Sequence, residues 1–275
     1  MTTALRPLST GELLDRTFSL YRSHFGLFLG IFALPYMVVL AFQLVGLVFQ
    51  SSAPKLPNIL LTLAWSVGAG ILTLIVSAIS QAATVIAVSN LQLGRPATVT
   101  DSFSRVKGHV LGVVGISLLV SMAAGFGLLA IVVPGVILLI IWSLAVPVKI
   151  LENKGVFDSM SRSMELTKGD WGRIFVIGLL ILALKFGISS LLQWPVLIAA
   201  GFNFRSGVRQ FTIGWQVAVL LSGFVSTSLV GALATIAFSL VYYDERVRKE
   251  AFDLQLMMTT LDASALPPSP AQAGA

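Results

Sequence analysis

The chain contains no cysteine, which excludes disulfides, thiolate metal sites and cysteine nucleophiles together. It has two histidines, His24 and His109, and only 11% charged residues, where an average soluble domain carries roughly 25%. It has no G-x-x-x-x-G-K-[ST] phosphate loop, no H-E-x-x-H and no G-x-S-x-G, so the usual signatures of nucleotide, zinc-hydrolase and serine-hydrolase chemistry are missing. What remains is 56% hydrophobic, with a mean hydropathy of +0.91. Such a chain belongs in a bilayer, and an enzyme is not expected. The pI near 9.9 reflects membrane topology rather than a nucleic-acid partner.

Long apolar runs organise the sequence. A bilayer core takes about 20 helical residues, and runs at 25–49, 58–91, 110–133, 136–151, 172–202 and 212–243 predict six spans in one all-α membrane domain over 1–258. The stretch Val110 to Ile150 is almost unbroken. As one helix it would reach about 60 Å, twice the bilayer core, so a turn is expected at Pro134-Gly135. The first run is far longer than a signal-peptide core of roughly 7 to 15 residues and is expected to stay as a span. Residues 259–275, rich in Ala and Pro without periodicity, read as a disordered tail.

Charge gives the direction. Lys and Arg favour cytoplasmic loops, and with the N-terminus inside, 14 of the 18 basic residues and all 12 acids fall on the cytoplasmic side. Lys55, Arg205 and Arg209 fall on the far side, and Lys185 lies within a span. Both termini are therefore expected in the cytoplasm.

Three short segments ahead of the outward spans resemble one another. Phe18-Ser19-Leu20-Tyr21-Arg22-Ser23-His24 parallels Phe103-Ser104-Arg105-Val106-Lys107-Gly108-His109, and Val99-Thr100-Asp101-Ser102-Phe103-Ser104-Arg105 parallels Val156-Phe157-Asp158-Ser159-Met160-Ser161-Arg162. Three like-oriented units are expected, each an interfacial helix plus a helical hairpin, related by an axis along the membrane normal. The first interfacial helix, 9–24, opens on the capping box Ser9-Thr10-Gly11-Glu12. Its Leu14, Phe18, Tyr21 and Phe25 fall on one face, expected to meet lipid or the bundle. At the other end, Asp244 with Arg248 and Glu245 with Lys249 are i, i+4 pairs in an expected cytoplasmic helix, 244–258.

Three stretches, Arg6 to Asp15, Arg162 to Gly169 and Tyr243 to Leu254, together resemble the bacterial family named for the membrane domain of glycerophosphoryl diester phosphodiesterases. The resemblance covers about residues 6–256. It implies the membrane module alone, in a bacterial inner membrane. In enzymatic members the chemistry belongs to an attached soluble barrel with His, acidic residues and a metal, and no alternating strand and helix pattern for such a barrel exists here.

Lys185 is the candidate for ligand contact. It stands near the bilayer midplane, roughly 16 Å past Ile174, and no acid lies in any span to pair with it. An ionisable residue there costs at least about 2.5–3.5 kcal/mol and by default marks a functional site. Gln81 and Gln43 are its candidate polar neighbours. Pro35, Pro147 and Pro195 free helix carbonyls inside spans. His24, His109 and Asp170 hold equivalent repeat positions, a set that can bind a metal if a threefold arrangement gathers it. Trp171, Trp194, Tyr242 and Tyr243 read as interfacial anchors. Glycines 68, 70, 112, 115, 125 and 127 permit close helix contacts.

Three functions fit these residues: a non-enzymatic module binding lipid or another anionic amphiphile, an accessory subunit beside other membrane proteins, or an anion transporter. No cofactor is expected.

Overall fold

In the computed structural model, residues 8–52, 59–130, 132–201 and 213–250 are described. All the secondary structure among them is helical: α1 (Thr10–Ser23), α2 (Phe25–Ser52), α3 (Ile59–Gln92), α4 (Val99–Val106), α5 (Val110–Ala130), α6 (Val132–Ile141), α7 (Ala145–Glu152), α8 (Val156–Thr167), α9 (Trp171–Gly201) and α10 (Ile213–Glu250). Six segments are long and apolar enough to cross a membrane: α2, α3, α5, the α6–α7 pair, α9 and α10. A bilayer requires this form, since backbone N–H and C=O groups find no water there and must bond within the helix. Outward side chains are apolar and open, Leu60 at 77%, Leu111 at 89% and Leu191 at 77% exposure, as a lipid-facing surface demands. This is a polytopic helical membrane bundle.

The sixth span is its axis. α10 packs along α9, α2 and α3 and also touches α1, α7 and α8. Small residues let it do so: a Cβ on Gly231 would fall 2.3 Å from the Phe32 ring, so the aromatic lies directly on helix backbone. α5 and α6 form a tight hairpin in which a Cβ on Gly127 would meet the Gly135 Cα at 2.7 Å.

That hairpin corrects two expectations. α5 runs to Ala130 and α6 starts at Val132, so Pro134-Gly135 lie in the first turn of α6 and not between the two helices. Proline is at home there because first-turn N–H groups have no intrahelical partner. The fourth span is also divided, by a turn at Trp142-Ser143-Leu144. Pro147 consequently opens α7 and does not interrupt a continuous helix, whereas Pro35 and Pro195 do lie inside α2 and α9. Ser163 of α8 fills the break: its buried hydroxyl donates to the Ile141 carbonyl at 2.7 Å and accepts from the Leu144 N–H at 3.2 Å. Two backbone groups freed by the turn are thereby satisfied by one side chain.

The short helices α1, α4 and α8 precede α2, α5 and α9. The capping box of α1 is formed, with the Ser9 side chain accepting from the Glu12 N–H and Glu12 reaching back to Ser9. Thr98 caps α4 in the same sense through the Asp101 N–H. The buried stripe of α1 runs through Leu13 and Thr17, with Leu14, Leu20 and Tyr21 beside it, while Phe18 and Phe25 stay exposed. The expected face is thus rotated toward the N-terminal neighbours of its aromatics. At matching points of the three segments stand Thr17, Ser102 and Ser159, each fully buried. Each hydroxyl donates to the carbonyl four residues back, at 2.8, 2.8 and 2.6 Å. A small side chain that satisfies itself lets each short helix sit close against the bundle.

Of the cytoplasmic helix expected at 244–258, the part through Glu250 is continuous with α10. Residues 251–258, the tail at 259–275, and Lys55, Arg205 and Arg209 lie outside the described residues.

Candidate functional site

A half-open cavity of about 780 Å³ is walled by α2, α3, α5, α6, α7, α9 and α10, with Phe175, Leu179 and Leu182 of its wall also exposed on the outer surface. Measured along the helices from the end where the charges gather, it begins near Ile174, one turn into α9, and reaches Lys185, roughly 21 Å from Trp171. Its wall is mostly apolar and includes Phe32, Phe175 and Phe238. The broken fourth span contributes Trp142 and Ser143, so the turn that Ser163 secures is part of the cavity wall.

Lys185 and Gln81 face this cavity together, and neither makes a hydrogen bond or ion pair with a described residue. No Asp or Glu lines it. Hydroxyls add to the set. Many in the spans donate to a nearby carbonyl of their own chain segment, Ser66, Thr73, Thr84, Ser222 and Ser239 away from the cavity and Ser77 and Ser143 on its wall, the usual way such groups are satisfied in an apolar setting. Ser117, Ser121, Thr227 and Thr235, which line the cavity, make no side-chain hydrogen bond within the described chain. The cavity therefore gathers an amine, an amide and four hydroxyls whose donors are unspent, with no carboxylate to use them.

The charged end is organised oppositely, with each buried acid set against a cation. Arg173 of α9 reaches Asp244 at 2.6 Å, Glu245 at 3.2 Å and the Leu8 carbonyl at 2.8 Å. Asp244 also accepts from the Leu8 N–H at 2.6 Å and from Arg248 at 2.9 Å. Lys249 donates to the Lys168 carbonyl at 2.7 Å and lies 3.6 Å from Asp170. It approaches Glu245 Oε2 to 3.5 Å, near enough for charge attraction but outside hydrogen-bond geometry, so that oxygen is without a hydrogen-bond partner. A second group joins α7, α8 and α10. Arg162 contacts Glu152, Glu165 and Glu250, while the Tyr242 hydroxyl donates to Glu152 at 3.0 Å.

No family model, curated protein or solved structure matches the chain. Function must therefore be read from these two sites.

The residues singled out by sequence divide accordingly. Lys185 and Gln81 are brought together. Gln43 is not: it lines a separate cavity of about 390 Å³ with Trp65 and Gln216, nearer the other end of the bundle, because it lies two turns beyond Tyr36 on α2. Nor do His24, His109 and Asp170 form a metal set. Among the described residues no three His, Asp or Glu side chains are placed to hold a metal ion, and each of these three opens a different span. His24 Nδ1 contacts the Ser23 hydroxyl at 2.9 Å, and Asp170 faces Lys249. Tyr242 and Tyr243 are not surface anchors but buried, with Tyr243 donating to Ser89 at 2.9 Å. Trp171 and Trp194 are exposed at 42% and 56%. Of the six glycines, Gly127 and Gly112 are pressed against Gly135 and the Lys149 stem, while Gly70 and Gly125 face open space.

Sequence reading missed the depth of the charged junction. The pairs Asp244–Arg248 and Glu245–Lys249 form as expected, yet Asp244 and Glu245 have side-chain exposures of 1% and 0%. Adjacent acids straight after the apolar run that ends in Tyr242-Tyr243 were the available signal.

Proposed function

We propose that this integral membrane protein is a non-enzymatic module that binds a monoanionic amphiphile in its central cavity, with Lys185 as the charge partner. The observation that carries the reading is the unspent donor set of Lys185, Gln81 and four hydroxyls in a cavity without an acid. An ammonium within an apolar membrane span is costly unless paired. One negative charge would neutralise it, whereas a dianion would leave a net charge inside the bundle. The apolar wall suits a hydrocarbon chain, and the volume falls within the range of roughly 300–1,000 Å³ common to sites for molecules of that size.

The setting is a bacterial cytoplasmic membrane with the charged end toward the cytoplasm, supported by the bias of Lys and Arg in the sequence. An origin in three repeated units is supported by the buried, self-bonded hydroxyls of Thr17, Ser102 and Ser159. The three stretches resembling the phosphodiesterase-linked membrane module converge on one junction through Leu8, Leu166 and Asp244, which gives that resemblance a structural rationale. The close contacts of Gly127 and Gly112 lie within the chain's own bundle and lend no weight to a role as accessory subunit.

Native mass spectrometry with added lysophosphatidylglycerol, a single-chain monoanion, tests the reading. Wild type should retain it well above a monoacylglycerol of equal chain length, and Lys185→Met should weaken retention by about 10- to 100-fold, the loss of one charged hydrogen bond. Equal retention by wild type and Lys185→Met would refute it.

A further inference from the structure

The second cavity, the one lined by Gln43, Trp65 and Gln216, shares its walls with the first. α2, α3, α9 and α10 each line both. Along every one of the four, the order from the charged end is the same: Tyr36 then Gln43 on α2, Leu74 then Ala69 on α3, Lys185 then Leu197 on α9, Thr227 then Leu220 on α10. That order follows from the second cavity lying farther from the charged end; what links the two is that the same four helices wall both. The two cavities are stacked, and the material between them is roughly 10 Å thick by helical rise on α2 and α10.

At that level the helices pack apolar side chains, among them the Phe42 ring of α2 stacked on Trp65 of α3 at 4.2 Å, and a polar contact joins two of them. Ser226 of α10, 2% exposed, donates to the Ser189 hydroxyl of α9 at 2.8 Å. Val39 of α2, 5% exposed, sits between Tyr36 and Gln43. Ser189 stands one turn beyond Lys185 on the same helix, so the septum begins where the charge partner ends. One neutral hydrogen bond joining two helices is worth about 0.5–1.5 kcal/mol net. The polar link across the septum is therefore weak, and apolar packing supplies the rest of the barrier.

We propose that the two cavities are halves of one path across the bundle, and that the anionic amphiphile held at Lys185 crosses the membrane when the Ser189–Ser226 contact parts. The reading rests on the binding proposed above and adds movement to it. Lys185 lies at the end of the first cavity nearest the septum, which is shut in this structure. Sites near the midplane served alternately from either side are the general plan of membrane transporters.

The absence of cysteine makes the test clean. Side-chain oxygens that meet at 2.8 Å place the two Cβ atoms within reach of a disulfide, so Ser189→Cys/Ser226→Cys can be oxidised with no competing thiol. Wild type and the double variant are reconstituted in phosphatidylcholine vesicles carrying acyl-labelled fluorescent lysophosphatidylglycerol, and albumin extraction reads the fraction that has crossed. Wild type should move label at least tenfold faster than protein-free vesicles. Oxidation of the double variant should abolish the gain, reduction should restore it, and native mass spectrometry should show lysophosphatidylglycerol still retained by the locked protein. No movement by wild type that binds, or unchanged movement in the locked form, overturns the path and leaves the binding reading intact. Absence of retention by wild type overturns the binding reading and the path with it. Should the disulfide fail to form, Ser226→Ala removes the hydrogen bond without adding bulk and should raise the rate about fivefold; an unchanged rate overturns the proposal.

Discussion

Replacing Arg173 by alanine should destabilise the protein by about 3 kcal/mol. Its guanidinium, 16% exposed, is shared between Asp244 at 1% and Glu245 at 0% side-chain exposure. Removing one partner of a buried ion pair costs about 3–5 kcal/mol, because the other charge is left without compensation. Here the cost falls at the lower end, since Asp244 keeps Arg248 at 2.9 Å and Glu245 keeps Lys249 at 3.5 Å. Those two cations are 34% and 28% exposed, so water screens part of what they supply. Equilibrium unfolding in mixed micelles should show the folded-to-unfolded ratio falling by about two orders of magnitude, at 1.4 kcal/mol per tenfold. The companion triple variant Arg173→Ala/Asp244→Asn/Glu245→Gln removes the orphaned charges and should recover more than half of the loss, a coupling that independent sites would not show. A loss below about 1 kcal/mol for Arg173→Ala, the range of an exposed pair, would refute the reasoning, because it would mean that water reaches both acids.

Other substitutions probe separate contacts with the same unfolding assay. Ser163→Ala should cost about 1–3 kcal/mol, because it strands the Ile141 carbonyl and the Leu144 N–H at the break in the fourth span, while the exposed Ser161→Ala on the same helix should stay within about 0.5 kcal/mol. Gly127→Ala should cost about 1–3 kcal/mol by forcing α5 off the Gly135 backbone, and Gly125→Ala, which meets nothing within 4 Å, should be tolerated. Tyr242→Phe should cost about 2 kcal/mol by removing the hydroxyl between Glu152 and Arg246, a hydrogen bond to charged groups. Lys185→Met, in contrast to all of these, should leave stability unchanged or raise it, since the amine has no partner within the described chain to lose.

Span number and helix class were legible because apolar length is a direct physical requirement of a bilayer. The capping box and the i, i+4 charge pairs were legible because they are local. Lys185 was legible because a charge in an apolar run is conspicuous, and its company with Gln81 followed from comparable depth. Gln43 went astray because depth along one helix does not reveal the level reached by another. The break at Trp142-Ser143-Leu144 carries no glycine or proline at the turn itself. It exists because Ser163, a residue of another helix, satisfies the freed groups, and no window of sequence around the break contains that information. The burial of Asp244 and Glu245 escaped for the same reason, since Arg173 and Leu8 lie far from them in the chain.

The contact between Leu8 and Asp244 joins residues 236 positions apart. During synthesis the first amphipathic helix emerges at the outset, yet the acid and the arginine that hold its leading end, Asp244 and Arg248, are made only after the sixth span. Until then α1 has its capping box, Arg16 on Gln92 of α3 at 2.8 Å and Arg173 on the Leu8 carbonyl, but no acid for the Leu8 N–H. Synthesis of α10 is thus what finishes the docking of α1, and a chain that stalls before it or loses that helix leaves the Leu8 N–H and Arg173 without their acids at the same time. Both are features by which a quality-control protease can distinguish an unfinished molecule from a finished one.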